Sequence, residues 1–486
     1  MNLSANLMAI GRSFTSRNYT LFFLGQSLSL LGNWITKTTV LWLAYDLTHS
    51  PIFLGIIGFL SQIPNLVVTP FAGVIIERYQ RRQVLILAHT LSILVFLSLG
   101  ILTLEGFMTS WLLVTLSIIQ GIINSVALPA RQTFLGDIVT QKEDISNATA
   151  LHSSLATICR ILGPGIAGFL IVKINGGYCF LLDGLSYVAV IIALSFMKIA
   201  PTYPESFSAL SSINSLEKTT KKLAVISTEL LNQLPDQLPD QLLDQLPDKL
   251  LDNLLDNLTN KAADQSLEKY PIKISLLENL QEGYRYVFDF LPMRMILLQI
   301  AAMSFLGMSY RSLLPIWTIE IVKGDATTLG YLMGATGIGA LVAALYLSTR
   351  PSVVGFEEIL TFSPAILGGA LVAFCLMDNW FISLGLMAVV GAASLLVSSA
   401  SNALLQTIAD ENKRGRVMSF YTMAMLGILP LGELFMGCLT QGIGVTHTLM
   451  ISGIGCVVIS ILSAINLPKL QVILRPVYIK NNLLSS

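Results

Sequence analysis

The sequence is poor in charged residues and in the patterns that build metal sites or soluble active sites. Only 12% of its 486 residues are charged, whereas about a quarter is usual in a soluble domain. The five cysteines show no CxxC spacing and the four histidines are scattered, which favours packing over disulfides or metal ligation. The chain has no phosphate-binding G-x-x-x-x-G-K-S/T loop, paired-carboxylate hydrolase site or nucleophile elbow. We therefore expect no enzyme, no metal, no bound cofactor and no nucleic-acid partner.

Long apolar runs dominate the chain instead. Hydrophobic residues make up 53% of the sequence, and the mean hydropathy is +0.71. Runs of about 20 apolar residues recur, each long enough to cross a hydrocarbon core of roughly 30 Å as a helix. We predict an all-α membrane protein with about 12 transmembrane helices. The predicted spans lie near residues 20–46, 51–76, 83–104, 110–130, 147–172, 177–198, 293–319, 327–349, 357–377, 380–406, 416–441 and 446–467.

A long polar segment divides these spans into six and six. It predicts an N-terminal bundle over 1–198, a cytoplasmic linker over 199–292 and a C-terminal bundle over 293–486. Within the linker, residues 234–258 repeat tetrads such as Leu-Pro-Asp-Gln and Leu-Leu-Asp-Asn. Because a four-residue period drifts around the helical turn and proline resists helix, we expect a disordered linker. A leucine-rich regulatory or partner-binding arm is the alternative.

The basic residues are distributed unevenly between the loops. Lysine and arginine collect in alternate loops, among them residues 78–82, 413–416 and 469–480. The positive-inside rule therefore predicts that these loops and both chain ends lie in the cytoplasm. The first 18 residues lack an apolar core ahead of their arginines, so no cleavable signal peptide is expected. These features predict a multi-pass protein of the inner (plasma) membrane, and we expect a monomer.

Polar residues form a stripe on one helical face of three of the predicted spans, with successive members one or two turns apart. The stripes are Gln26, Ser29, Asn33 and Lys37 in the first span, Ser117, Gln120, Asn124 and Arg131 in the fourth, and Ser394, Ser398, Asn402 and Gln406 in the tenth. Lipid penalises such a stripe, so it should face a watery cavity or the bundle interior. Ordinary hydrogen bonding between helices is the alternative explanation. That alternative fits Ser29 well and Lys37 poorly, because a lysine so deep in the membrane is costly.

Three further charges lie deep within predicted spans. Arg160 is near the middle of the fifth span, Arg311 is in the seventh and Glu433 is well inside the eleventh. Such charges mark functional sites or are neutralised structurally. Glu433 is a candidate proton acceptor, and Asp183 in the sixth span is a weaker candidate of the same type. Glu320, at the outer end of the seventh span, is interpreted as interfacial.

The charged loop after the second span resembles a motif of the major facilitator superfamily. In the superfamily pattern G-x-x-x-D-R-x-G-R-R, the matching residues here are Gly73, Arg78, Arg81 and Arg82, with Glu77 replacing the aspartate and Gln80 the second glycine. The resemblance implies that Glu77 approaches Arg416 and that Arg78 or Arg82 pairs with Asp137. These contacts would latch the two halves together on the cytoplasmic side. Gln80 would be strained if the turn required positive φ there.

The fifth span carries a second resemblance. Gly163, Pro164 and Gly168 are similar to the superfamily's antiporter motif, with Phe169 in place of its last glycine. The residues 42–48, 129–147 and 414–419 look like the branch that contains the bacterial enterobactin exporter. The resemblance implies two six-helix bundles and export of a siderophore-like or amphipathic metabolite coupled to protons. A kinked packing helix is the simpler interpretation of the glycines.

The sequence therefore predicts a proton-coupled exporter of a small amphipathic molecule. The transport cavity would contain Asn33, Lys37, Gln120, Asn124, Arg160, Arg311, Asn402 and Glu433. Its partners would be a small-molecule substrate, protons and the lipid bilayer. An importer or uncoupled facilitator of the same fold is one alternative. A membrane receptor or scaffold that signals through the long linker is the other.

Overall fold

A computed structural model of the chain describes residues 12–139, 144–197, 284–350, 352–377, 379–410 and 413–480. After a 3-10 turn at Arg12–Thr15, the described residues contain twelve long helices. They are α1 Arg17–Thr48, α2 Pro51–Arg78, α3 Arg81–Leu104, α4 Ser110–Ile138, α5 Ile145–Lys173, α6 Gly176–Phe196, α7 Leu291–Ile321, α8 Ala326–Ser348, α9 Phe356–Leu376, α10 Trp380–Ile408, α11 Arg414–Ile443 and α12 Val445–Lys480. The predicted all-α membrane fold with about 12 spans is confirmed. Most of the predicted linker, as far as residue 283, lies outside the described residues.

Ten of these helices, α3 to α12, are long and apolar enough to cross a membrane by length and composition. Helix α1 is outside that set because its polar stripe dilutes the apolar residues. In helix α2 the described side chains form an apolar stretch over Pro51–Asn65. The most polar long helix of the N-terminal half is thus packed within an otherwise apolar bundle. Such a helix is expected to line an interior surface rather than face lipid.

Local sequence signals fix where several helices begin. Thr109 accepts a hydrogen bond from the backbone N–H of Leu112 at the start of α4, and Asn379 does the same for the first turn of α10. Asp325 forms a capping box with Thr328 at the start of α8. These side chains satisfy amide groups that have no partner within the first helical turn. Gly444 connects α11 directly to α12 with φ of 81°, a conformation that favours glycine.

The two halves repeat one packing scheme. In the N-terminal half α3 packs on α6 and α2 on α4, and in the C-terminal half α9 packs on α12 and α8 on α10. Across the halves, α2 packs on α11 and α5 on α8. Gly437, near the end of α11, lies against Pro51 at the start of α2, so the halves share one orientation. The start of α1 and the end of α12 therefore lie on the same side of the bundle, which is called here the terminal end. The other side of the bundle is called the opposite end.

Helices α7 and α11 are irregular where the others are regular. Helix α7 contains π-helical turns at Met303–Gly307 and Trp317–Ile321 with a 3-10 segment, Ser309–Leu313, between them. Helix α11 contains a π-helical turn at Met423–Gly427. Irregular backbone at membrane depth is tolerated where it is covered by protein or lines a cavity, and π-turns often mark functional sites. The backbone thus makes α7 and α11 the candidates for functional helices in the C-terminal half.

Candidate functional site

Lys37 lies deep within α1, yet its side chain is exposed. Eleven residues separate it from the end of the helix at Thr48, a depth of about 16 Å at 1.5 Å per residue. Its ammonium group lies 4.9 Å from the centroid of the Trp34 ring, an attractive cation–π geometry. An exposed lysine at this depth is consistent with the predicted interior cavity. The cavity would then border α1.

Charges from both halves converge on Lys37. It interacts electrostatically with Arg131 and Asp183 of the N-terminal half and with Arg311 and Glu433 of the C-terminal half. Arg160 in turn interacts with Arg311. The structure therefore groups charges that are up to about four hundred residues apart in sequence, as helix packing allows. These six residues are called here the central charges: Lys37, Arg131, Arg160, Asp183, Arg311 and Glu433.

Glu433 lies at the junction of the two halves. It is half-buried on α11 and accepts a 3.3 Å hydrogen bond from the Gln62 amide of α2. Its backbone carbonyl lies 2.8 Å from a Cβ built at Gly55, and its side chain fills the space beside Gly58. Two glycines of α2 thus permit the close approach that places this carboxylate against the N-terminal half. Any movement of the halves at this point changes the surroundings of Glu433.

Arg160 and Arg311 have few partners for their guanidinium groups. Arg160 is half-buried and its Nε atom has no hydrogen-bond partner. Arg311 sits in the 3-10 segment of α7 beside Tyr310, with its guanidinium carbon 5.9 Å from the ring centroid. The buried Tyr310 hydroxyl also lacks a partner. Unsatisfied donors of this kind are costly inside a protein, so a ligand that accepts hydrogen bonds from them would be favoured here.

A buried polar network occupies the N-terminal half. Gln120 donates to Ser92 at 3.2 Å and to Asn124 at 3.4 Å. Arg131 donates to Gln26 at 3.2 Å. Part of the predicted stripe on α1 and α4 therefore forms the hydrogen bonds between helices that were the alternative explanation. Asn124 lies in this network, whereas Lys37 lies outside it.

Sequence reasoning identified Asp183 as a weaker candidate and missed the polar residues around it. Asp183 is fully buried, accepts a hydrogen bond from Ser186 and leaves one carboxylate oxygen without a partner. Asn33 of α1 hydrogen-bonds to Tyr187 one turn farther along α6. The ring of His89 on α3 packs against the ring of Tyr187 in a tilted arrangement, with 5.1 Å between centroids. The run Asp-x-x-Ser-Tyr within an apolar span was the signal that could have identified this group.

The polar stripe of α10 is mostly satisfied within its own helix. Ser394 and Ser398 donate to backbone carbonyls of the preceding turn, and Gln406 donates to Asn402. The Tyr421 hydroxyl of α11 donates to the Ser398 carbonyl at 2.9 Å. The described contacts therefore do not join Asn402 to the central charges. Its assignment to the cavity stays a prediction.

The predicted gating loop pairs differently from the expectation. Asp137 forms its ion pair with Arg81, at 2.6 Å, and Arg82 instead donates to the Ser195 carbonyl at 3.0 Å. Of the two partners predicted for Asp137, Arg82 is wrong, because consecutive residues at the start of α3 point in directions about 100° apart. The other, Arg78, stays a prediction. Gln80 has φ of −61°, so the expected strain is absent. The side chains of Glu77 and Arg78, the surroundings of Gly73 and the expected approach of Glu77 to Arg416 lie outside the described residues.

The Arg81–Asp137 ion pair offers a first test of the site. A double-mutant cycle with Arg81→Ala and Asp137→Ala is expected to give a coupling of less than about 1 kcal/mol, since both groups reach solvent. The side chains are 40% and 22% exposed. The measurement is the unfolding free energy of the detergent-solubilised protein. The matched cycle with Arg82→Ala should give no coupling, and a larger coupling for Arg82 than for Arg81 would contradict the observed pairing.

The two halves are held together at the opposite end. The Tyr45 hydroxyl of α1 donates to Glu320 of α7, which gives Glu320 a more specific contact than the interfacial role expected. Gly168 of α5 packs against Ala326 and Thr327 of α8. A Cβ built at Gly330 would lie 2.6 Å from the Pro164 carbonyl oxygen. Pro164 and Gly168 of the predicted antiporter motif therefore lie at the close contact between α5 and α8. Gly163 of the same motif packs against Trp34 of α1.

Comparisons with known proteins agree with this architecture. A family model described as Major Facilitator Superfamily matches residues 22–429. The staphyloferrin A transporter of Staphylococcus aureus is 25% identical, over 90% of this chain and 94% of its own. The multidrug efflux pump Tap of Mycolicibacterium fortuitum is 20% identical, over 90% and 93%.

Solved structures share the fold. A bacterial homologue of the iron transporter ferroportin, in an inward-facing state, superposes with a TM-score of 0.59 at 15% identity, covering 92% of this chain and 98% of that one. A bacterial homologue of the lysosomal transporter Spinster, also inward-facing, superposes with a TM-score of 0.59 at 13% identity, covering 96% and 98%. At such identities the likeness extends to the fold alone.

Proposed function

Because this chain belongs to the Major Facilitator Superfamily, we propose that it is a proton-coupled exporter of a small amphipathic molecule, working by alternating access. It is a multi-pass membrane transporter rather than an enzyme. The observation that carries the finer proposal is the convergence of the central charges from both halves near Lys37. The protein would act as a monomer in an energised plasma membrane, with the terminal end in the cytoplasm.

The contacts between the halves indicate how access would alternate. The glycine contacts of α5 with α8 and the Tyr45–Glu320 hydrogen bond form a closed gate at the opposite end. Opening that gate requires α5 to leave α8 and α2 to leave α11. Since Glu433 is held between α2 and α11, the same movement alters the environment of a carboxylate that can take up a proton. Protonation of Glu433 would thereby bias the opening of the gate, and opening of the gate would bias the protonation of Glu433.

Two observations support export over import. The relatives named a multidrug efflux pump and a macrolide efflux protein align over about nine-tenths of their lengths. The resemblance of Gly163, Pro164 and Gly168 to an antiporter motif points the same way. An importer remains the second candidate because the staphyloferrin A transporter aligns over 94% of its length and its name gives no direction.

Reconstitution in liposomes that enclose a pH-sensitive dye tests the proposal. A siderophore or amphipathic drug added to the cytoplasmic side should leave that side while protons move the opposite way. Substrate and proton moving in the same direction would instead indicate symport. Substrate movement with no proton flux would indicate an uncoupled facilitator.

Removal of the linker repeat separates transport from a scaffold function. Deleting residues 234–258 is expected to leave transport unchanged, because all central charges lie in the helices. A variant in which a Gly-Ser sequence of equal length replaces the repeat controls for the shortened connection. Loss of transport in both variants would show that the repeat itself is required and would favour the partner-binding interpretation.

A further inference from the structure

The central charges are unbalanced. Four of them are basic, Lys37, Arg131, Arg160 and Arg311, whereas Asp183 and Glu433 are the two acids. All six lie about two helical turns or more from the ends of their helices, so none is at a helix end. Even with both carboxylates ionised, the bundle interior carries two excess positive charges.

The surplus is not relieved by ion pairs. Two ion pairs in the described parts of the chain join Arg12 to Asp144 and Arg81 to Asp137, both at the terminal end. Among the described residues, none of the four central cations lies within 4.0 Å of a carboxylate. Arg160 leaves a buried Nε without an acceptor. Charges at this depth are normally paired or hydrated because burial penalises them strongly.

An arginine fork and an ammonium group are well suited to multivalent oxyanions. Trp34, whose ring lies beside the Lys37 ammonium group, packs against Gly163, three residues from Arg160. Arg160 is in turn close enough to Arg311 for the two guanidinium groups to repel each other, so the three cations lie in one region of the bundle. The partly exposed ring of Trp34 lies beside Lys37 and offers apolar contact to the rest of a ligand. The site therefore combines cationic and aromatic groups.

From this arrangement we propose that the cavity binds a small organic anion carrying at least two negative charges, held by Lys37, Arg160 and Arg311. The proposal rests on the transport function proposed above and narrows its substrate class. It distinguishes this chain from carriers of cationic amphipathic drugs, which four cations would repel.

Binding of citrate to the purified, detergent-solubilised full chain tests the proposal. Citrate is expected to bind. Its uncharged trimethyl ester and the cation tetraphenylphosphonium are not expected to bind. Glycerol phosphate is tested as an anion that carries phosphate instead of carboxylate. Binding by either anion supports the site, and their order of affinity assigns carboxylate or phosphate. Each of Arg311→Gln, Arg160→Gln and Lys37→Gln should weaken citrate binding by about tenfold or more, as expected for loss of a charged hydrogen bond.

Lys173→Gln is the matched control, since it removes one positive charge from the exposed end of α5. If Lys173→Gln weakened citrate binding equally, net charge alone would explain the effect, and the assignment of the anion site would be overturned. Failure of both anions to bind the folded protein, or binding of the ester as tight as that of citrate, would also overturn it. Since binding needs no gradient, a chain that binds citrate but moves nothing would contradict the transport proposal alone.

Discussion

Glu433→Gln is expected to abolish substrate-driven proton flux in liposomes while leaving the protein folded and able to bind its substrate. Arginine stays protonated in proteins, so the exchangeable proton of the central charges must reside on a carboxylate or on Lys37. Glu433 is the carboxylate held between the halves, by Gln62 and by the close approach at Gly55. Glutamine keeps the shape and the hydrogen bond to Gln62 but cannot carry the proton.

The control is Glu358→Gln, an exposed acid in the first turn of α9, which should leave flux unchanged. Asp183→Asn tests the second carboxylate, which is buried on α6. Full proton flux in Glu433→Gln together with its loss in Asp183→Asn would move the proton site to the N-terminal half. Anion binding in Glu433→Gln should be retained or strengthened, because a negative charge near the ligand is removed.

The positions of the helices could be predicted from composition because crossing a bilayer requires a long apolar run. Thus the predicted span 147–172 agrees with α5, Ile145–Lys173. The prediction fails where a helix continues beyond the membrane. The span predicted to end at 467 belongs to α12, which runs through Pro468 and Pro476 to Lys480. A hydropathy pattern locates the segment that crosses the bilayer, whereas the ends of the helix depend on local hydrogen bonding and packing.

The charged residues that lie deep in the membrane could be predicted from the sequence, but the residues that they contact could not. Lys37, Arg311 and Glu433 stood out because a charge inside an apolar run is costly wherever the helix lies. Their partners depend on how helices far apart in sequence are rotated and paired. Tyr45 and Glu320, for instance, are 275 residues apart and meet across the halves. The sequence does not indicate that these two residues meet, so their contact at the opposite end became visible only in the fold.

The irregular turns of α7 illustrate the same limit. Pro315 marks a possible break in the span, but it does not specify two π-helical turns and a 3-10 segment around Arg311. Such turns depend on tertiary contacts that satisfy the displaced backbone groups. One of these contacts is the Ser452 hydroxyl of α12, which donates to the Leu306 carbonyl at 2.7 Å. The shape of α7 is therefore a property of the bundle.

Gly168→Leu is expected to shift the protein away from the state in which the opposite end is closed, and to abolish transport. A Cβ at this position would lie 2.8 Å from the Cα of Thr327 and would collide with the Ala326 carbonyl. Both obstacles are backbone atoms of α8, so the clash is relieved by separating α5 from α8 rather than by a side-chain rotation. Separation at this place is the movement that opens the gate.

The shift can be measured without knowing the substrate. In a background lacking the native cysteines, Thr38→Cys reports on the gate, because Thr38 is fully buried and its hydroxyl contacts the Met333 sulfur of α8 at 3.8 Å. Gly168→Leu should increase the rate at which a thiol reagent modifies this cysteine. Gly165→Leu is the matched control on the same helix, since a Cβ there meets nothing within 4 Å. Equal labelling rates in both variants would mean that the α5–α8 contact does not hold the gate closed, and the alternating-access role of these glycines would then be abandoned.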